Sequence, residues 1–304
     1  MEFWAIITFG SAFLQNMRSA LQKHLKGKMG TTGATFVRFG FGLPFAFLYL
    51  GLLHLAFDRP MPAPDGHFAV WAMLGALAQI AATFLLVHLF SFRNFAVGTA
   101  YSRTEPAQAA LIALTLFGET VRLPVVGAIG VSIVGVMLVS VARTELTLKS
   151  LVTSLGSRTA IIGLTSGFFF GMSGISYRAA SLSLEPSLPA PDSIMQASFT
   201  LAVVIVIQTL TMLAWMVWRE PQELSRIRAA WKTSVLVGFV GATASFGWFI
   251  AMTLQQVAVV KAVAQVEMLF TFASSVLVFK EKINRLEIAG CVLIVAGVLL
   301  LLVA

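Results

Sequence analysis

Apolar residues in this chain gather into ten long runs separated by short stretches of charge, glycine and proline: residues 3–25, 31–56, 68–91, 96–117, 121–142, 159–180, 193–218, 232–254, 257–279 and 286–303. A helix needs about 20 residues to cross roughly 30 Å of hydrocarbon, and each run is near that length. The pattern predicts an all-α, polytopic membrane protein of ten transmembrane helices. The longer connections hold turn residues, as in the proline-rich stretch from Asp58 to Asp65 and in Glu185 to Pro191. An even number of crossings places both termini on one side of the bilayer.

A repeat organises the ten runs. Phe117-Gly118-Glu119, followed by Gly135-Val136, recurs as Phe279-Lys280-Glu281 followed by Gly297-Val298, at a constant offset of 162 residues. The same offset pairs Glu105 with Glu267, Ala100 with Ala262 and Phe84 with Phe246, with no gap. The first five runs thus correspond to the last five. Because five is odd, the two copies lie in the membrane with opposite orientation, an inverted repeat. The expected organisation is a first five-helix repeat over 1–142, a connection over 143–158 and a second five-helix repeat over 159–304.

Composition removes the soluble classes. Of the 304 residues, 58% are hydrophobic and 11% charged, against about 25% charged in a soluble globular chain. Ten spans leave no length for a soluble catalytic domain. The net charge of +8 belongs to loop lysines and arginines rather than to a nucleic-acid surface: fourteen fall in the odd-numbered connections, and only Arg59, Arg122 and Arg178 on the opposite side. The positive-inside rule then puts the odd loops in the cytoplasm and both termini outside. The single cysteine, Cys291, forms no intramolecular disulfide. The opening segment has Met-Glu ahead of it and no cleavage pattern, so it reads as a retained helix.

Six charged residues lie deep inside the runs, away from their ends: Arg18, Arg38, Arg103 and Lys261 against Glu105 and Glu267. A charge at bilayer depth costs at least about 2.5–3.5 kcal/mol on insertion scales, so each requires a partner or a wet cavity. Arg103 and Glu105, two residues apart, point in different directions on a helix, whereas Glu105 and Gln108 share a face. The offset maps Arg103 onto Gln265 and Thr99 onto Lys261, so Lys261 and Gln265 form the matching stripe on the ninth run. A central cavity lined by Arg103, Glu105, Gln108, Lys261, Gln265 and Glu267 follows. Asn16 and Arg18 of the first run and Arg38 of the second are further substrate-binding candidates, since Gln15, Asn16 and Arg18 are too dense in polarity for a lipid-facing turn. The same groups also fit a purely structural cross-pairing, Glu105 with Lys261 and Glu267 with Arg103, and Arg18 or Arg38 equally fits snorkelling or helix-knitting. Glu105 and Glu267 are the intramembrane groups able to exchange a proton, which leaves proton coupling open.

Other polar and small residues refine the picture. Pro106 lacks an N–H and should bend the fourth run, as a static kink or as a gate. Gln79, His88 and Gln208 read as helix-to-helix hydrogen-bonding points, and Glu119 and Glu281 as carboxylates at helix starts. Gly163, Gly167 and Gly171, with Gly130, Gly135, Gly290 and Gly297, allow close helix approach; this serves packing within one subunit or, on the tenth run, a homodimer interface. No H-E-x-x-H, phosphate-loop or G-x-S-x-G pattern occurs, so the sequence predicts neither an enzyme nor a cofactor or metal.

Glu105-Pro106, Gly118-Glu119 and the glycine-bearing fifth run, with Glu267, Lys280-Glu281, Gly290 and Gly297 in the second copy and Arg38 in the second run, resemble the drug/metabolite transporter superfamily, in its EamA-type branch of ten helices made from two five-helix repeats. The resemblance covers essentially the whole chain, although Ala128 and Met268 stand where the repeat partners are Gly290 and Pro106. It implies a secondary transporter, an exporter of amino acids and related metabolites or drugs, working by alternating access in a bacterial inner membrane. It also implies cytoplasmic termini, opposite to the loop-charge count. The excess of two positive charges in the spans favours an anionic or zwitterionic substrate whose carboxylate Arg103 or Lys261 would hold. Two alternatives stand beside this. A membrane-embedded enzyme acting on a lipid would gather its ionisable residues at one interface, and a passive channel-like bundle would need no exchangeable carboxylate.

Overall fold

The computed structural model describes residues 2–92, 100–118, 122–142, 156–277 and 285–303. Expectations that rest on Arg93, Thr99, Glu119, Lys280 or Glu281 therefore lie outside the described residues. The first half contains α1 (Phe3–Lys26), α2 (Thr31–Gly40), α3 (Leu43–Gly51), α4 (Gly66–Leu89), α5 (Glu105–Phe117) and α6 (Leu123–Ala142). The second contains α7 (Arg158–Ser183), α8 (Ser193–Arg219), α9 (Gln222–Ala229), α10 (Trp231–Leu254), α11 (Val257–Val263), α12 (Glu267–Leu277) and α13 (Arg285–Val303). No strand occurs among the described residues.

Among the described residues, six helical stretches are long and apolar enough to cross a membrane: Thr31–Ala56, Gly66–Leu89, Arg158–Ser187, Ser193–Arg219, Trp231–Leu254 and Arg285–Leu302. α1 is diluted by Gln15, Asn16, Arg18, Gln22 and Lys23. The fourth span is interrupted by a turn at Arg103 and Thr104, the ninth tightens into one i→i+3 turn over Ala264–Val266, and the second bends. There α2 ends at Gly40, and α3 restarts with Pro44 in its first turn, where the missing N–H leaves no intrahelical bond unmade.

Helix ends follow local chemistry. Asp65, Ser157 and Asp192 cap α4, α7 and α8 by accepting from Phe68 N, Ala160 N and Met195 N. Gly118 ends α5 in the left-handed conformation at φ 64°, which a side chain at that position would strain. Arg178, expected at a helix end, reaches the C-terminus of α10, where its Nη1 donates to the carbonyls of Met252, Thr253 and Gln255 at 2.6, 3.1 and 2.8 Å. A cation there satisfies carbonyls that have no intrahelical partner.

Packing reproduces the repeat. The 162-residue offset carries the starts of α2, α5 and α6 onto the starts of α8, α12 and α13, at Ser193, Glu267 and Arg285. The extensive contact of α1 with α10 is matched by that of α7 with α4, while α6 and α13 pack on each other. That last crossing is symmetric to the residue. A Cβ added at Gly135 would meet the Gly290 carbonyl at 2.7 Å and Ile294 N at 2.8 Å, and one at Gly297 would meet the equivalent atoms, Ala128 O at 2.9 Å and Ser132 N at 3.0 Å. Only glycine permits this approach of backbones, which lipid cannot drive hydrophobically. Gly167 and Gly171 likewise seat α7 against Ser102 and Ala109, so these small residues act in packing within the chain.

Candidate functional site

Both halves break at the same register. The helical turn that ends at Ser102 passes through a turn at Arg103 and Thr104, where Arg103 N and Thr104 N donate to Ala100 O and Tyr101 O, and α5 then begins at Glu105. In the second half α11 gives way to a tight i→i+3 turn over Ala264–Val266, and α12 begins at Glu267. Pro106 therefore does not kink a running helix; it occupies the first turn of α5, where proline is tolerated. The break before Glu267 has no proline and was not expected from local sequence. The repeat register was the signal that could have found it, since Met268 stands where Pro106 does.

Each broken segment thus places a glutamate at a helix start, where unpaired N–H groups and the helix dipole favour a negative charge. Across the two segments the charges cross-pair. Arg103 holds Glu267 bidentately, Nη1 to Oε2 at 2.7 Å and Nη2 to Oε1 at 3.1 Å, and Lys261 Nζ lies 2.8 Å from Glu105 Oε1. The carboxylates occupy equivalent positions, but their cations do not. The repeat mate of Arg103 is Gln265, and that of Lys261 is Thr99. Lys261 also sits 5.1 Å from the centre of the Trp248 ring.

Beside these pairs lies a cavity of about 300 Å³ walled by Gln15, Asn16, Ser19 and Lys23 of α1, Leu86 and Phe90, Phe170 of α7, and Ser102, Arg103, Glu105, Glu267 and Met268. Asn16, Arg103, Glu105 and Glu267 are thus brought together as expected, and the polar face of α1 turns inward. A second, far smaller chamber of about 10 Å³ is lined by Arg38, Gln79, Tyr177, Ser245, Trp248 and Lys261, among others, and shares Gln15 and Phe170 with the first. Arg38 donates to Thr83 Oγ1 at 3.0 Å and Ser245 Oγ at 3.4 Å.

Three expected substrate-binding residues stand elsewhere. Gln108 folds back on Thr104 Oγ1 at 2.7 Å and lies against Gly167, and Gln265 donates to the Arg103 carbonyl at 2.8 Å; neither lines either void. Backbone that leaves the helical ladder needs such partners: Gln265 reaches it directly, and Gln108 through the Thr104 hydroxyl, which donates to Tyr101 O at 2.7 Å. Arg18 is buried outside both linings. Gln79 and Gln208 do join helices: Gln208 donates to Gln79 Oε1 at 2.8 Å and to Tyr177 Oη at 3.1 Å, while the Tyr177 hydroxyl donates to Gly75 O at 2.8 Å. His88 instead stacks against Phe84 and meets Phe92 edge-on.

Two latches lie on connections whose sequence shows only turn residues and charge. Arg59 in the α3–α4 connection pairs with Asp192 at 2.6 Å, and Ala63 N donates to Ser187 Oγ at 3.1 Å. On the α1–α2 connection, Gly30 N and Arg226 Nη1 both donate to the buried Glu223 of α9, at 2.7 and 2.5 Å, and Thr32 donates to Glu220 at 3.0 Å. Among the described residues no three His, Cys, Asp or Glu side chains gather as a metal site.

A two-fold helical bundle with discontinuous helices meeting at a polar, charged centre is the architecture of a membrane transporter. The chain belongs to the EamA-like transporter family, whose model matches residues 2–141 and again 157–303. It is accordingly an integral, multi-pass membrane protein. No curated protein matches it. Among solved structures, one titled "Crystal structure of protein" is similar in fold, with a TM-score of 0.70 at 16% identity over 98% of this chain and 95% of that one.

Proposed function

We propose that the chain crosses the membrane ten times, as inverted five-helix repeats over 1–142 and 159–304, and is a secondary active transporter that exports small organic metabolites such as amino acids. The transported solute occupies the cavity between α1, α5 and α12, and access alternates as the two repeats rock about the turn before α5 and its mate before α12. The observation that carries this reading is the pair of helix breaks at one register, each with a glutamate ionically tied to the other half. Such ties are strong enough to hold one state and are made of groups that can trade partners. Asn16, Arg103, Glu105 and Glu267 contact the solute directly; Lys261 acts through Glu105, and Gln108 and Gln265 hold the broken backbone. Protonation of Glu105 or Glu267 would release its cation and couple a proton to the cycle.

A bacterial inner membrane is the setting proposed. Since Gly135, Gly290 and Gly297 are used between α6 and α13, a homodimer would need another surface. Uptake and efflux by proteoliposomes across an amino-acid and metabolite panel test the reading, with Arg103→Ala, Lys261→Ala and Glu267→Gln beside the parent. Flux of at least one compound class, lost in all three variants, is the expected result. Flux unchanged in every variant would remove the site, and a parent protein that moves nothing on the panel would favour an enzyme or a structural bundle.

A further inference from the structure

The charges inside the bundle do not cancel. Among the six intramembrane ionisable residues, Arg103 and Lys261 each hold a carboxylate of their own, which leaves Arg18 and Arg38 as the surplus. Arg18 is 1% exposed and Arg38 4%, and among the described residues neither has a carboxylate within ion-pair distance. Nε and Nη1 of Arg18 and Nε of Arg38 are buried donors with no hydrogen-bond partner. The two side chains are also neighbours: a Cβ built on Gly241 would lie 3.3 Å from both Arg18 Cδ and Arg38 Cγ. Two adjacent guanidiniums at bilayer depth repel one another, and arginine does not escape by losing its proton. A buried, unpaired charge of this kind marks a place where an anion belongs.

We propose that Arg38, with Arg18 buried beside it as a second positive charge, is a receptor for the carboxylate group of an organic anion, at the small chamber next to the 300 Å³ cavity. The proposal rests on the transport reading of that cavity and differs from the expectation that Arg103 or Lys261 holds the substrate carboxylate. Arg38 borders the small chamber, where Gln15, Gln79, Ser245 and the Tyr177 hydroxyl supply further polar groups. That chamber has room for about one water, the size of a single carboxylate oxygen, while the rest of the molecule lies toward the 300 Å³ cavity that shares the Gln15 and Phe170 walls. A carboxylate offers two oxygens and about four acceptor sites, enough for several unpaired donors at once, whereas a halide offers a single centre.

Melting of the purified full-length protein in detergent, followed by tryptophan fluorescence and titrated with sodium succinate, sodium chloride or sodium phosphate at matched ionic strength, tests this. Succinate should raise the melting temperature saturably, and chloride and phosphate should not. Arg38→Gln and Arg18→Gln should weaken the apparent succinate affinity by roughly tenfold or more, and Arg38→Lys by less. Without succinate, both glutamine variants should melt at or above the parent, because each removes an uncompensated charge. A succinate shift equal in the parent and both glutamine variants, no succinate shift, or an equal shift with chloride or phosphate overturns the receptor. Saturable, arginine-dependent binding by a protein that moves no compound on the metabolite panel supports the receptor and overturns the transport reading; flux that persists in Arg38→Gln while succinate leaves the parent's melting unchanged does the reverse.

Discussion

Gln265 donates its side-chain amide to the main-chain carbonyl of Arg103 at 2.8 Å, and these two residues stand 162 apart, at the same register of the two repeats. A residue in contact with its own repeat mate lies close to the axis that exchanges the halves. The axis therefore runs through the two helix breaks, and the cross-paired charges flank it. Equivalence holds for the carboxylates, Glu105 and Glu267, and fails for the cations, so the site is two-fold in its acidic frame and asymmetric in its basic groups.

The bidentate Arg103–Glu267 pair is the stronger of the two ties. Glu267 is nearly inaccessible, its side chain 4% exposed against 30% for Arg103, so removing the arginine strands a buried carboxylate. Arg103→Ala should cost about 3–5 kcal/mol of stability. Adding Glu267→Gln to it should recover roughly 1–3 kcal/mol, because the two sites are in direct contact. Melting of the two single variants and the double variant measures that coupling, and strict additivity would mean that the pair is not formed.

At the α6–α13 crossing, space decides the sign of a substitution. Gly290→Ala places a methyl 2.6 Å from Gly135 O and 2.9 Å from Val139 N, and backbone cannot give way cheaply. A loss of about 1–3 kcal/mol is expected. Gly130→Ala, on the same helix pair, meets nothing within 4 Å and should be neutral or stabilising by about 0.4–1 kcal/mol. Thermal denaturation of both variants in one detergent makes the comparison.

The two partners of the Arg59–Asp192 pair should not be equivalent. Asp192 Oδ1 accepts from Arg59 and also from Met195 N at the start of α8, while Arg59 has a half-exposed, solvent-screened role. Asp192→Ala should cost about 1 kcal/mol for the cap beyond the ion pair, and Arg59→Gln at most about 1 kcal/mol. Raising the salt concentration should narrow the gap between the parent and Arg59→Gln and leave the cap contribution of Asp192 in place.

Much of the architecture was legible because it is written as periodicity. Apolar runs separated by charge marked the helices, and one constant offset marked the repeat; the pairing of Glu105 with Lys261 and Glu267 with Arg103 stood in the sequence only as a structural alternative to a substrate cavity. What escaped was tertiary. Gln108 shares a face with Glu105 in α5, but its amide donates to Thr104 Oγ1 four residues back and stays out of the cavity. No local residue marks the break before Glu267. The surplus positive charge could be counted from sequence, whereas its seat at Arg18 and Arg38 depended on knowing which cations were already engaged. The short helix α9 and its Glu223 latch lay in a connection read only for its charge.

The central claim is that α1 borders a water-filled cavity beside the two breaks, and its most direct test is thiol labelling in a Cys291→Ser background. Asn16→Cys and Ser19→Cys, on the cavity wall, and Leu111→Cys, on an exposed apolar face, are each treated in sealed vesicles with a membrane-impermeant maleimide. The account predicts modification of Asn16→Cys and Ser19→Cys, with Leu111→Cys unreacted. An Asn16→Cys variant as unreactive as Leu111→Cys would contradict it.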